Sequence, residues 1–165
     1  MVVDLDTREF ESNGFGMSVY KVGEQFYETA EKIGNAPYPY AYIVNMSFAI
    51  ELFIKSLNVT HKASFKEDNS WAESYEMIVH TKDRRHSLIN LFNNLPEKTQ
   101  DGLKRQYLLG SNIELLDDLE QIKDAFLDYR YIYEKDSHSI NIGALSRVAS
   151  FFKKFIESVF LGIKD

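Results

Sequence analysis

The chain has 165 residues, of which 44% are hydrophobic and 27% are charged, and its formal net charge is -6 at pH 7. This length and composition predict one globular domain over residues 1–165, and the negative charge opposes loose binding to nucleic acid or to an anionic membrane. The absence of cysteine excludes disulfides, thiolate zinc sites and cysteine nucleophiles, and it fits a cytoplasmic location.

The beginning of the chain predicts an arm followed by a helix. Residues 1–16 carry few periodic apolar positions, so we expect an irregular arm, and its acidic start, MVVDLDTREF, is not that of a signal peptide. Residues 17–33 predict a helix that ends at Gly34, since glycine tolerates the left-handed conformation at a helix C-terminus. Its apolar stripe consists of Val19, Val22, Phe26, Ala30 and Ile33.

The stretch over residues 40–57, YAYIVNMSFAIELFIKSL, predicts a central buried helix around which the other elements pack. The apolar residues at helical spacing are Ile43, Met46, Ile50, Phe53, Ile54 and Leu57. Glu51 and Lys55 interrupt this stretch, and the free-energy cost of placing two charged side chains in hydrocarbon excludes a membrane span. We therefore expect no membrane partner. Their four-residue spacing favours an ion pair, and Arg130 is a candidate third partner if the pair is buried.

Residues 58–83 break the helical pattern. Two extended-looking stretches, 59–65 and 75–80, are separated by a polar run, which predicts a β-hairpin or another ordered excursion from the bundle.

The second half of the chain returns to helical periodicity. We predict helices over residues 85–95 and 96–109, and a long one over 113–133 that begins with a capping box of Ser111 and Glu114. Its outer face is expected to be acidic, with Glu114, Asp117, Asp118, Glu120 and Asp124. Asn141 is expected to cap the last helix. The predicted fold class is therefore all-α, an antiparallel bundle of five to six helices.

The histidines give little support for a metal site. None of the four is paired with another at the i, i+4 spacing that places two ligands on one helix face, so we expect neither a metal nor a cofactor. His86 follows the basic residues Lys82, Arg84 and Arg85. This cluster is either a solvated loop with a capping or exposed histidine, or the place where an anionic ligand binds.

A second group of polar residues begins at Arg130. Arg130 and Glu134 share a helix face, which allows a structural ion pair. The alternative is that Arg130 clamps a phosphate while His138 transfers a proton, with Tyr133 and Glu134 in support. Such a set would suit phosphodiester cleavage without a metal.

Three stretches of the chain resemble the HEPN superfamily of all-helical domains. The acronym stands for higher eukaryotes and prokaryotes nucleotide-binding. AIELFIKSL over residues 49–57 is similar to the second-helix pattern of that family. HSLINLFNNLP over residues 86–96 resembles its His-x-Leu-x-x-Leu-Phe segment, and FLDYRYIYEK over residues 126–135 resembles its Arg-Tyr-x-Tyr-Glu helix ending.

The resemblance implies a helical bundle that often forms a homodimer and acts in a bacterial stress or defence system. It implies RNA or a nucleotide as ligand, and a nucleotidyltransferase or an antitoxin as partner. The nuclease members carry an Arg followed four to six residues later by His. Arg130 and His138 depart from this pattern, since seven residues separate them and Tyr131 occupies the polar position.

Two interpretations follow for this chain. The first is a non-catalytic binding or dimerisation module in which Arg130, Glu134, Glu51 and Lys55 hold the bundle together. The second is a metal-independent endoribonuclease that uses Arg130 and His138. Binding of a nucleotide or another small anion at Lys82, Arg84, Arg85 and His86 remains a further option.

Overall fold

The computed structural model describes residues 2–4, 9–66, 74–81, 86–131 and 139–163 of the chain. The strands are β1 Val2–Asp4, β2 Glu9–Gly14, β3 Val59–Lys66 and β4 Ser74–Thr81. The helices are α1 Met17–Ile33, α2 Pro39–Ser56, α3 Leu88–Asn93, α4 Glu97–Ser111, α5 Leu115–Ile122, α6 Ala125–Arg130 and α7 Ile142–Phe160. The described chain is mostly helical, as predicted, and is compatible with an all-α bundle that carries a small sheet.

Helix α2 lies at the centre of the fold, as its sequence predicts. It packs against α1, α3, α6 and α7. The apolar residues expected to be buried along it are all at most 7% exposed: Ile43, Met46, Ile50, Phe53, Ile54 and Leu57. Burial on several sides explains why this helix lacks the polar face of a surface helix.

Helices α1 and α2 form a closely packed pair. A Cβ atom added to the buried Gly23 would lie 3.0 Å from Leu52 Cβ, so the absence of a side chain allows this approach. Gly34 ends α1, as predicted, and its N–H donates to the Ala30 carbonyl at 2.9 Å. Its φ is positive, at +69°, but its ψ of 172° is extended, so the residue does not adopt the expected left-handed conformation. The predicted apolar stripe is displaced, because Val22 is 44% exposed and Tyr20 is buried instead.

The excursion between α2 and α3 is a hairpin, as predicted, and it belongs to a larger sheet. Strands β3 and β4 pair antiparallel from Val59 with Thr81 to Lys66 with Ser74. The sheet has the order β1-β2-β3-β4.

The expectation of an irregular arm over residues 1–16 is wrong, because this segment contains β1 and β2. Strand β2 pairs antiparallel with β3, from Glu9 with Ser64 to Gly14 with Val59. Its order comes from backbone pairing with a strand about fifty residues later, which leaves little trace in the local apolar pattern.

Gly16 joins this arm to the helical bundle. Its N–H donates to the Ser56 carbonyl at the end of α2, at 2.7 Å. A Cβ atom at this position would lie 2.6 Å from Val59 Cγ1, a distance that requires movement of one of the two segments. Glycine at position 16 therefore lets the end of β2, the end of α2 and the start of β3 meet.

The long helix predicted over residues 113–133 is divided into α5 and α6. The carbonyl of Lys123 accepts a hydrogen bond from the N–H of Leu88 at the start of α3, at 2.9 Å. Asp124 has a non-helical backbone, with φ of -113° and ψ of 14°. A contact with a distant element therefore replaces the continuation of the helix.

The helix ends near the predicted capping box also differ from expectation. Ser111 is the last residue of α4, and its hydroxyl donates to the Tyr107 carbonyl at 2.8 Å, while Glu114 precedes α5 without a side-chain cap. The left-handed Asn112 ends α4 with φ of 57°. By contrast, Asn141 caps α7 as predicted, because its side chain accepts from the N–H of Ala144 at 2.9 Å.

Candidate functional site

The candidate site begins with a buried ion pair on α2. Glu51 is 1% exposed, and its Oε1 accepts a hydrogen bond from Lys55 Nζ at 2.7 Å. The Lys55 side chain is itself only 10% exposed. Because the desolvation of a buried carboxylate is costly, such a group requires several compensating contacts.

His86 supplies the third member of this cluster from the segment before α3. Its Nδ1 lies 3.1 Å from Oε1 and 3.1 Å from Oε2 of Glu51. An ionised carboxylate can only accept hydrogen bonds, so we assign the hydrogen atom of this contact to Nδ1 of His86. The His86 side chain is 40% exposed, so the ring connects a buried carboxylate to the protein surface.

Phe126 on α6 joins this cluster to Arg130. The ring centroids of Phe126 and His86 are 5.6 Å apart, and Phe48 of α2 stacks on Phe126 at 4.9 Å. The guanidinium carbon of Arg130 lies 5.7 Å from the Phe126 centroid and 5.4 Å from that of Tyr131. These distances suit cation–π contacts, which orient the exposed guanidinium on an aromatic surface.

The prediction that Arg130 is the third partner of Glu51 and Lys55 is wrong. His86 takes that place, and Arg130 is exposed and lies over aromatic rings. The expectation that His86 caps a helix is wrong, since Ser87 is the residue that precedes α3. The expected exposure is found in part, since 40% of the side chain is exposed while Nδ1 contacts the buried Glu51.

Three separate stretches of the chain, 49–57, 86–96 and 126–135, contribute residues to this site. Glu51 and Lys55 come from the first, His86 from the second, and Phe126 and Arg130 from the third. Of the other predicted site residues, Arg84, Arg85, Tyr133, Glu134 and His138 lie outside the described residues, as does Lys82. Their roles, and the expected ion pair of Arg130 with Glu134, stay predictions.

A buried polar cluster that the sequence analysis missed joins α4, α5 and α7. Asp118 is 1% exposed and accepts from Arg147 twice, from Nε at 3.1 Å and from Nη2 at 3.0 Å. The hydroxyl of Tyr107 donates to the same carboxylate at 2.5 Å. Burial and this hydrogen bond raise the pKa of the Tyr107 phenol, so it remains a donor.

The signal for this cluster was present in the sequence. Asp118 follows Leu115 by three residues and precedes Ile122 by four, so it lies within the apolar stripe of α5 rather than on its outer face. The prediction of an outward Asp118 is therefore wrong. A carboxylate in an apolar stripe indicates a buried partner, although the sequence does not reveal that this partner is Arg147.

A third polar cluster connects α1 to α7. The hydroxyl of Tyr20 donates to Glu24 at 3.2 Å and to Glu157 at 3.3 Å, and Lys153 also donates to Glu157. Burial raises the pKa of the Tyr20 phenol, and the two carboxylates raise it further. Burial disfavours the charged form of Glu24, but the hydrogen bonds from Lys21 and Tyr20 outweigh this effect and lower the pKa of Glu24.

A small acidic depression lies at the junction of α5 and α6. Its volume is about 130 Å³, and its lining includes Glu120, Asp124 and Asp128. This is less than the roughly 300 Å³ or more that a small-molecule ligand usually requires. Its carboxylates also repel phosphate, so the depression is unsuited to a nucleotide.

The chain matches no family model, no curated protein and no solved structure. Among the described residues, no group of three or more histidine, aspartate or glutamate side chains is arranged to hold a metal ion. The helices of the described segments include none that is both long and apolar enough to cross a membrane.

Proposed function

We propose that this chain is a HEPN-like, non-catalytic module that binds RNA or a nucleotide-related partner in the cytoplasm as part of a bacterial stress or defence system. One observation carries the proposal: the exposed guanidinium of Arg130 lies over Phe126, next to the buried cluster of Glu51, Lys55 and His86. Guanidinium groups bind phosphate oxygens with good geometry, and aromatic rings stack with bases.

The buried cluster supports binding rather than cleavage. Glu51 is engaged by both Lys55 and Nδ1 of His86, so these groups brace α2 against the segment before α3. This arrangement keeps part of the first interpretation, in which Glu51 and Lys55 hold the bundle together. In this proposal Arg130 is not part of the brace, because it contacts aromatic rings instead of Glu51, and its role is to bind the ligand.

The proposal includes a homodimer, and a nucleotidyltransferase or an antitoxin as partner. Exposed apolar side chains at the end of α7 are compatible with a protein contact: Val159 is 56% exposed, Phe160 43% and Ile163 52%. Sedimentation analysis over a range of protein concentrations tests the homodimer, and a single monomeric species throughout that range would contradict it.

Direct binding measurements test the ligand. Fluorescence anisotropy with a short single-stranded RNA should give saturable binding that Arg130→Ala weakens by about tenfold, the effect of losing one charge-assisted hydrogen-bonded contact. Arg105→Ala is the matched control, since Arg105 is also an exposed helical arginine but lies on α4. Equal binding by both variants would contradict the assignment of Arg130.

Metal-independent cleavage of RNA by Arg130 and His138 is the second candidate. One observation favours it: Arg130 does not contact the Glu51 and Lys55 pair, and an arginine that binds the phosphate of a substrate must be accessible to that substrate. In this case purified protein should cut RNA in the presence of EDTA, and Arg130→Ala and His138→Ala should both abolish the cut. Intact RNA after prolonged incubation of the unaltered protein would exclude this candidate.

A further inference from the structure

The contact between Glu51 and His86 fixes more than the position of a side chain. Both oxygens of the buried carboxylate lie 3.1 Å from the same ring nitrogen, Nδ1. The proton on Nδ1 is thereby committed to Glu51, and Nε2 is the ring atom left for a ligand. With 40% of the His86 side chain exposed, a ligand can approach it from solvent.

Arg130 and His86 flank one aromatic ring. The centroid of Phe126 is 5.6 Å from that of the His86 ring and 5.7 Å from the guanidinium carbon of Arg130. Phe126 is 7% exposed and is packed against Phe48, so it forms a fixed support next to both groups. Because the arginine side chain is long and its guanidinium is held only by ring contacts, Arg130 can turn towards an anion that is bound at His86.

We propose that Nε2 of His86 and the guanidinium of Arg130 together bind a terminal phosphate, that is, a phosphomonoester, with Glu51 as the residue that positions His86. This inference rests on the proposed binding function and names its ligand class. A phosphomonoester offers three acceptor oxygens to the guanidinium of Arg130. Because Nδ1–H of His86 donates to Glu51, Nε2 contacts a phosphate oxygen through a single proton, which either the phosphate or the imidazole carries.

The charge of the molecule favours an end over an internal stretch of nucleic acid. A net charge of -6 repels a long polyanion, and the depression beside α6 adds Glu120, Asp124 and Asp128. A terminal phosphate concentrates its charge at one point, where Arg130 and His86 can both contact it. The same chemistry occurs at the end of an RNA and in a nucleoside monophosphate.

The test compares RNAs that differ only at their ends. Anisotropy titrations with one oligonucleotide carrying a 5′-phosphate, a 3′-phosphate or hydroxyl groups only should show about tenfold tighter binding of at least one phosphorylated form. Competition with a nucleoside monophosphate distinguishes the sources, because effective competition assigns the site to the phosphate group irrespective of the RNA. Equal affinity for all three RNAs overturns the inference.

Two substitutions of His86 separate its ring nitrogens. In His86→Asn the amide nitrogen can replace Nδ1 as donor to Glu51, but the variant has no counterpart of Nε2, so the preference for phosphorylated RNA should disappear. His86→Gln places an amide nearer to the position of Nε2 and should retain part of the preference. A preference unchanged in His86→Asn overturns the inference.

The proposed role of Glu51 in positioning His86 is tested by a measurement that would not change if Glu51 only stabilised the fold. Long-range proton–nitrogen NMR correlations of the folded protein should show His86 protonated at Nδ1, and Glu51→Gln should shift these signals and reduce the end preference in parallel. A folded Glu51→Gln protein with an altered imidazole but full preference overturns the positioning role.

The outcomes also separate this inference from the proposed function. RNA binding that depends on Arg130 but ignores the terminal phosphate overturns the inference and leaves the proposed function standing. Absence of binding to every RNA and to the nucleoside monophosphate overturns both.

Discussion

The guanidinium of Arg147 and the carboxylate of Asp118 are joined by two parallel hydrogen bonds, of 3.0 and 3.1 Å, that connect α7 to α5. Asp118 is fully buried, whereas the Arg147 side chain is 41% exposed. The pair therefore satisfies a carboxylate that the fold has removed from water, while its cation remains partly solvated.

Loss of Arg147 should destabilise the fold. In the part of the chain that the structure describes, Arg147→Ala leaves the Tyr107 hydroxyl as the remaining side-chain partner of the buried Asp118 carboxylate. We expect a loss of about 2 kcal/mol, a value moderated by the exposure of the guanidinium. Urea unfolding measures the change, with Arg105→Ala as the exposed-arginine control. A change as small as that of the control would show that Tyr107 and solvent are enough to stabilise the buried carboxylate of Asp118.

The Glu51 and Lys55 pair should behave as a coupled unit. Among the described residues, Lys55→Met leaves His86 as the remaining side-chain partner of the buried Glu51 carboxylate, and the substitution should cost about 2 kcal/mol. Adding Glu51→Gln should recover part of this loss, giving a coupling of about 1 kcal/mol in a double-mutant cycle.

Lys104→Met is the matched control for this cycle. It breaks an exposed pair with Asp101 on α4, at 3.2 Å, and should change the free energy of unfolding by about 0.5 kcal/mol or less. Strict additivity of Lys55→Met and Glu51→Gln would contradict a direct interaction between the two charges.

Two glycines should respond in opposite directions to alanine. At Gly16 a Cβ atom would lie 2.6 Å from Val59 Cγ1, so Gly16→Ala should cost about 1–3 kcal/mol. At Gly102, inside α4, a Cβ atom would meet nothing within 4 Å, so Gly102→Ala should stabilise the protein by about 0.5–1 kcal/mol. Thermal unfolding measures both.

Relief of the Gly16→Ala loss by Val59→Ala would identify the steric contact as its cause. If Val59→Ala only adds to the loss, the explanation from close approach fails.

Acid should remove the contribution of Glu24. Its folded-state pKa is lowered, although burial acts in the opposite direction, because Lys21 and Tyr20 donate hydrogen bonds to the carboxylate. A lowered carboxyl pKa stabilises the fold above the unfolded-state value of about 4.3, and this stabilisation is lost as the pH falls through the folded-state value.

The measurement is the difference in free energy of unfolding between the unaltered protein and Glu24→Gln. This difference should be present at pH 6 and should shrink below about pH 4. Glu28→Gln, at an exposed position of the same helix, is the control. An equal difference at both pH values would contradict the assignment.

Local patterns in the sequence predict the helices that depend on local interactions. Residues 40–57 are apolar around most of the helix, which indicates a central position, and Asn141 caps the helix that follows it directly. The break at Lys123 is different, because its carbonyl is bound by Leu88, 35 residues earlier. Strand β2 likewise depends on β3, although α1 and α2 lie between them in sequence.

The candidate site shows the same limit. The spacing of Glu51 and Lys55 predicts their ion pair, which the structure confirms. The partner of Glu51 is His86, which lies in a segment where the sequence favours capping or exposure. Arg130 was the natural candidate on charge alone, but charge does not specify which of two distant segments reaches a buried carboxylate.

The hydrogen bond from Leu88 to Lys123 has a consequence for exchange with solvent. It holds the start of α3 beside the start of α6, and His86 and Phe126 lie two and three residues from its ends. Any opening that parts the imidazole from the aromatic ring by moving these segments must first break this bond. Exchange of the Leu88 amide proton therefore sets an upper limit on how often the site opens in this way.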